Sequence, residues 1–291
     1  MNRFCLILCY LPLFHVTLFT QEISNVASLP NTLEEASGMV YIDNQGLYIL
    51  DDTKKPFIYK VCEHTGNILQ VIQIHNISFT DKESLTADET FLYVGDIGDN
   101  KGKRKSLKIV KIPVDQLTSK SDTITLRGEV INLQIAGKKK PKKKKENIYD
   151  FEAMFVYNDS IYLLSKQRSD LKTTLYVLPN KGGNQLAQRK CDLTVDGLIT
   201  GAALQSNGKQ LAITGYQKRK KAPFIFILPH YDLCNVEAKY LTKIPIFEPR
   251  KSFQVEAITF LSDSTIYFSN EWTSDYGQGL YKLKLSSDVD E

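Results

Sequence analysis

Residues 149–166, YDFEAMFVYNDSIYLLSK, decide how the chain reads. A carboxylate at Glu152 leads into an apolar stretch rich in β-branched and aromatic side chains. Asn158-Asp159 then supplies a turn, and a second apolar stretch ends at Lys166. That pattern predicts two antiparallel strands joined by a tight turn.

The unit returns along the chain. It stands at Glu83 (KESLTADETFLYVGD, 82–96) and at Glu256 (VEAITFLSDSTIYFSNE, 255–271). A looser copy begins at Glu35 (EASGMVYIDNQGLYILDD, 35–52). Another has Thr200-Gly201 where the carboxylate should be (TGAALQSNGKQLAITGY, 200–216). Starts at 35, 83, 152, 201 and 256 lie 48, 69, 49 and 55 residues apart. A period of roughly 40–50 residues of β pattern predicts blades of about four strands each. The expected fold is therefore all-β, a β-propeller of five blades, with six as the alternative. The last copy has only three strands (257–261, 265–269, 279–285), and residues 21–29 form a spare strand at the start. That strand is expected to complete the last blade and close the ring, removing the sheet edges. The other predicted strands are 38–43, 46–51, 57–62 and 68–74; 84–86, 91–96, 107–112 and 125–135; 153–157, 161–165, 174–178 and 187–193; and 202–205, 210–215, 224–228 and 238–245.

With 42% hydrophobic and 24% charged residues in 291, the chain has an ordinary globular balance with ample core. Its start is distinct. Asn2-Arg3 precedes a run over 4–19 that is apolar except for His15 and Thr17, and polar sequence resumes at Gln21. This predicts a secretory signal over residues 1–20, cleaved near Thr20-Gln21, and a secreted, periplasmic or envelope location; an uncleaved anchor is the alternative. A single propeller domain over 21–291 follows. Cys62, Cys191 and Cys234 then remain. An odd number without metal-ligand spacing is read as three small buried residues rather than a disulfide framework.

A lysine run begins at Lys138 and ends at Lys145 (KKKPKKKK). Without its seven lysines the formal net charge falls from +4 to −3. Such a run attracts anionic surfaces weakly, a sulfated glycan or phospholipid headgroups. It lacks interleaved aromatics and arginines, so no nucleic-acid partner is expected. The plainer reading is a solvated, self-repelling insertion.

In a propeller, the loops entering each blade and those following its second strand emerge on one face. The repeat carboxylates Glu35, Glu83, Glu152 and Glu256 fall on the first set of loops. The second set carries Asp51-Asp52, Asp96, Asp99, Asn100, Lys166, Arg168, Tyr216, Asn270 and Glu271. Both sets are expected at one mouth of the central channel. Converging carboxylates there can bind a hard cation such as calcium, hold protons, or pair with Lys166 and Arg168. They can equally act as locks that accept hydrogen bonds between blades. The loop GDIGDNKG (95–102) resembles a cation loop but lacks the EF-hand spacing. The four histidines do not cluster, and no GxSxG, P-loop or HExxH occurs, so serine nucleophiles and nucleotide hydrolysis have no support.

The segments DFEAMFVYNDSIYLLSK, ITGAALQSNGKQLAITGY, VEAITF and VGDIGDN resemble a family of uncharacterised secreted bacterial β-propellers. Its blades run Asp-x-Glu-Ala, Thr-Gly-Ala, Glu-Ala. More distantly the chain resembles phytase-like and calcium-dependent lactonase propellers. That resemblance implies an axial metal site at Glu35, Glu83, Glu152 and Glu256, with Thr200 as a departure. The expected function is binding of a small molecule, glycan or protein at the polar mouth, around a cation. The alternative is a metal-dependent hydrolase of an ester, lactone or phosphoester.

Overall fold

The structure is a computed structural model. It describes residues 22–143, 146–217, 222–229, 233–234, 243–246 and 253–285. The expected signal, residues 1–20, lies outside them.

Antiparallel meanders follow one another along the chain. The first comprises β2 (Ala36–Ile42), β3 (Gly46–Asp51), β4 (Phe57–Val61) and β5 (Ile68–Ile74). The second comprises β6 (Ser84–Ala87), β7 (Phe91–Asp96), β8 (Leu107–Pro113) and β10 (Glu129–Ile135), with β9 (Thr123–Leu126) preceding β10. The third is β11 (Phe151–Tyr157), β12 (Ser160–Ser165), β13 (Lys172–Pro179) and β14 (Gly183–Thr194). Then come β15 (Leu198–Leu204), β16 (Gln210–Tyr216), β17 (Pro223–Pro229) and β18 (Lys243–Pro245), and finally β19 (Val255–Ser262), β20 (Thr265–Asn270) and β21 (Gly279–Lys284). The N-terminal strand β1 (Glu22–Ser28) pairs antiparallel with β21, from Glu22 opposite Lys284 to Ser28 opposite Gly279.

Local sequence accounts for these hairpins. In β11–β12 the turn residues Asn158 and Asp159 both take positive φ, 44° and 56°. Asn and Asp tolerate that region, and two such residues make the turn whose twist suits a two-residue hairpin. Tyr157 then faces Ser160, and the pairing runs up to Ala153 opposite Leu164.

The first strands of the meanders touch in a cycle: β2 with β6, β6 with β11, β11 with β15, β15 with β19, and β19 with β2 again. The core follows the same cycle. Each apolar cluster is shared by two successive meanders, and the cluster of Leu33, Met39, Ile49, Tyr267 and Leu280 joins the last to the first. Each large side chain buried there stabilises the fold by about 1.5–3 kcal/mol. Close approach of the first strands demands small residues. A Cβ on Gly38 would lie 2.6 Å from Leu85 N, and one on Gly201 would lie 2.9 Å from Glu256 O. The result is an all-β, β-propeller-like fold.

Two expectations are corrected. The predicted strand 125–135 is two strands. β9 runs parallel to β5 on the edge of the first meander, while β10 pairs antiparallel with β8 and parallel with β14. Gly128 marks the break, because a Cβ there would lie 2.2 Å from Val110 Cγ1. The outer strands thus stitch neighbouring meanders together, which fuses two of them into one eight-stranded sheet. Second, Cys191 and Cys234 form a disulfide between β14 and the segment after β17, and among the described residues Cys62 is free. In the lysine run Lys139, Lys140, Lys142 and Lys143 are exposed, and its start is tied down. Lys138 reaches Asp99 Oδ2 at 3.4 Å, and Lys139 N donates to Tyr149 Oη at 3.2 Å. Of the predicted strand 238–245 only Lys243–Pro245 is described.

Candidate functional site

Two of the repeat glutamates, Glu152 and Glu256, owe their position to a bulge. In β11 the pairing slips between Phe151 and Ala153, so Glu152 has no partner across the hairpin. The same slip occurs at Thr200 and at Glu256. In the first meander it falls at Ser37, not at Glu35. A bulge turns one side chain out of the ladder and aims it elsewhere. Ser37, Glu152, Thr200 and Glu256 thus sit at a bulge; Glu83 takes the matching place in sequence, directly before β6, whose pairing runs without a slip from Ser84 opposite Gly95. Ser37 Oγ donates to Lys82 O at 3.0 Å, and Thr200 Oγ1 donates to Val255 O at 2.6 Å. Each hydroxyl binds the backbone immediately before the next meander's glutamate. Glu35 stands two residues earlier, exposed, with its N–H donating to Asp51 Oδ2 at 3.3 Å.

On one side of the axis the carboxylates are paired. Lys166 follows β12 and is buried. Its Nζ lies 2.9 Å from Glu152 Oε2 and 4.0 Å from Glu256 Oε2, and 5.4 Å over the Tyr216 ring. Arg168 Nη1 pairs with Asp150 Oδ2, and Nη2 lies 3.7 Å from Glu152 Oε1. Burial pushes the Glu152 carboxyl up to about 7, against the pull of Lys166. Burial likewise raises Glu256, with Lys166 opposing. Burial alone would lower Lys166, but Glu152 and Glu256 outweigh it and hold its ammonium well above the ordinary range.

On the other side the carboxylates form no ion pair among the described residues, and feel the charges of Arg104 and Lys166 only at a distance. Asp52 (after β3), Asp81 and Glu83 place oxygens within 4.8 Å of one another. Glu83 is only 7% exposed. Among the described residues its carboxylate has no hydrogen bond and no ion pair. Burial first, and then the charge of Glu152, hold its proton affinity well above the carboxylate range. Asp52 is pushed up to about 8 by burial, a hydrogen bond with Glu35 and the charge of Glu35. Asp81 is raised by burial and by Asp150. Gly98 closes this group from the loop after β7: a Cβ there would lie 2.5 Å from Asp81 Oδ2 and 2.7 Å from Glu83 Oε1. The nearby Lys82 is turned away, its Nζ donating to Lys55 O at 2.8 Å, and burial lowers it to about 8.

Other predicted mouth residues spend their polar atoms on loop structure. Asp96 Oδ1 accepts from Thr80 N and Asp81 N and lies 2.9 Å from Arg104 Nη2. Asp99 Oδ1 accepts from Lys103 N and Arg104 N, and its own N–H donates to Asp150 Oδ1. The Asn270 amide donates to Glu271 O and Gly277 O and accepts from Gly279 N. Glu271 Oε2 accepts from Gln254 Nε2 at 2.6 Å. Asn100 is half-buried in the turn after Asp99. Asp81, Asp150 and Arg104 were not singled out from sequence. Asp81 and Asp150 each stand two residues before a repeat glutamate, and that shared spacing was the signal.

No family model matches the chain, and no curated protein matches it. Solved structures do. Kuenenia stuttgartiensis hydrazine synthase matches at 9% identity and a TM-score of 0.43, over 90% of this chain and 59% of that one. Myxococcus xanthus glutaminyl cyclase matches at 9% identity and 0.49, over 91% and 97%. A Bacteroides thetaiotaomicron protein of unknown function matches at 9% and 0.48, over 92% and 76%. The chain thus spans just over half of the hydrazine synthase chain. Likeness at this level carries no argument about activity.

Proposed function

We propose that the protein is a five-bladed β-propeller, closed by its N-terminal strand, that binds a ligand at the carboxylate-lined end of its axis around a hard divalent cation such as calcium. The meanders joined in a cycle, with β1 on β21, support the blade count. The observation that carries the functional reading is Glu83, a buried carboxylate facing two others with no cation of its own. Like charges so placed must hold protons or share a positive ion. The donors are all oxygens, as hard cations prefer. Asp52, Asp81 and Glu83 would hold the ion, and Glu152 and Glu256 are committed to Lys166. The ion would supply a positive centre for oxygens of a ligand arriving at this mouth. A secreted or envelope location suits the Cys191–Cys234 disulfide.

Two measurements test this. Metal analysis of purified protein, with melting in calcium and in EGTA, should show bound ion and a higher melting temperature with calcium. Identical melts and no metal would end the reading. Deleting residues 22–28 should expose the β21 edge and cause aggregation or severe destabilisation. A deletion that melts like the parent would refute closure by β1.

A further inference from the structure

A cleft of about 540 Å³ opens where the ring-closing segment meets the loop after β20. Leu29, Asn31 and Glu34 form one wall, between β1 and β2; Trp272 and Gln278 form the other. The walls are fixed to each other. Trp272 N donates to Glu34 O at 2.8 Å, Leu29 N donates to Gln278 O at 3.1 Å, and Gln278 Nε2 donates back to Leu29 O at 3.0 Å. Yet Trp272, the one tryptophan of the chain, is 55% exposed. Among the described residues, its indole N–H, the Asn31 amide N–H and the Glu34 carboxylate make no hydrogen bond. The cleft therefore offers a broad aromatic face ringed by planar donors and acceptors, on a rigid support.

We propose that this cleft is a carbohydrate subsite, taking a pyranose unit of a neutral oligosaccharide. The face of an indole is electron-rich and its body apolar. A pyranose presents on one face a patch of C–H groups, weakly positive and apolar, that stacks on such a ring. Around its rim it carries hydroxyls that both donate and accept. The Asn31 amide and the indole N–H donate, and the Glu34 carboxylate accepts, as vicinal hydroxyls require. The charge of Glu34 repels uronic and sulfated sugars. A single aromatic beside a carboxylate likewise suits an anionic lipid surface poorly. Concave sites of this kind bind through shape and a few convergent polar groups. The inference does not depend on the cation at Asp52, Asp81 and Glu83, and its test is run in EGTA to keep the two apart.

On excitation at the red edge of the indole band, where the chain's 15 tyrosines absorb little, the emission comes from its single tryptophan, Trp272, and reports the cleft directly. Titration with chitohexaose, cellohexaose, xylohexaose and maltohexaose should give a saturable shift with at least one, and heparin should give none. By calorimetry, Trp272→Ala should weaken that sugar about tenfold, and Trp272→Phe should retain most of the affinity. Glu34→Ala, losing one hydrogen-bond acceptor, should weaken it about fivefold. Each of these side chains is exposed, so the variants should melt like the parent. No saturable signal with any of the four hexaoses overturns the proposal. So does binding that survives Trp272→Ala unchanged, or a Trp272 emission shift with heparin larger than with all four.

Discussion

Glu152 and Glu83 occupy the same position of the repeat, yet their surroundings differ. The residue after β12 is Lys166, which reaches across to Glu152 and Glu256. The residue after β7 is Ile97, fully buried and apolar. After β3 it is Asp52, which adds a negative charge to the Glu83 side. One loop position thus decides whether a repeat carboxylate becomes a lock between meanders or a free ligand. A buried carboxylate with a cation partner is satisfied within the chain. One without it must recruit a proton or an ion from outside.

Breaking the locked side should have the largest effect. Lys166→Met leaves Glu152 and Glu256 buried without their cation. Removing one partner of a buried pair costs about 3–5 kcal/mol. Denaturant unfolding should show that loss equally in calcium and in EGTA. A loss that calcium restores would mean that Glu152 and Glu256 also hold the ion, and the contrast between the two sides would fail.

On the open side the expected sign is reversed. Glu83→Gln keeps size and removes one repelling charge, so the protein should become somewhat more stable in EGTA. Its calcium affinity should fall at least tenfold, about 1.4 kcal/mol. Calorimetric melts of parent and variant in both conditions read the two effects together. Gly98→Ala sharpens the comparison, because it leaves every charge in place. Its methyl would displace the Asp81 and Glu83 oxygens, and calcium protection should shrink while the Lys166 side keeps its stability. If Gly98→Ala leaves calcium protection intact, these oxygens do not hold the ion.

Much of this was legible in the chain, and the exceptions have physical causes. Strand alternation and Asn-Asp turns marked the hairpins, since each depends on neighbours in sequence. The glutamate spacing marked Glu83, Glu152 and Glu256. It misplaced the first repeat, because the bulge there carries Ser37, and a hydroxyl donating to Lys82 O serves where a carboxylate was sought. The break at Gly128 was hidden because β9, an edge strand, and β10, an inner one, both alternate exposed and less exposed residues, and alternation does not say which sheet a strand joins. The disulfide was hidden because Cys191 and Cys234 lie 43 residues apart. Which carboxylates find a cation was least legible, because Lys166 and Glu256 lie far apart in sequence and meet only in the folded chain.

The smallest effect is a pH dependence that follows from the same excess of carboxylates. Burial holds Glu152 up to about 7, and moves Glu83 and Glu256 in the same direction. Unfolded, these groups titrate near 4.3. Between that value and about 7 the folded chain binds more protons than the unfolded chain, so its stability falls as pH rises through this window. The raised value of Lys166 acts only above the ordinary lysine range and does not enter. In EGTA, stability should decline from about pH 5 to about pH 7. Calcium should displace the proton of Glu83 and flatten part of the slope, while the share from Glu152 and Glu256 persists. The difference between parent and Glu83→Gln across the same window isolates the Glu83 share. A slope that calcium leaves unchanged would place the Glu83 proton outside the ion site. A flat profile in EGTA would show the ring glutamates ionised throughout, and would remove the reason to seek a cation at this end of the axis.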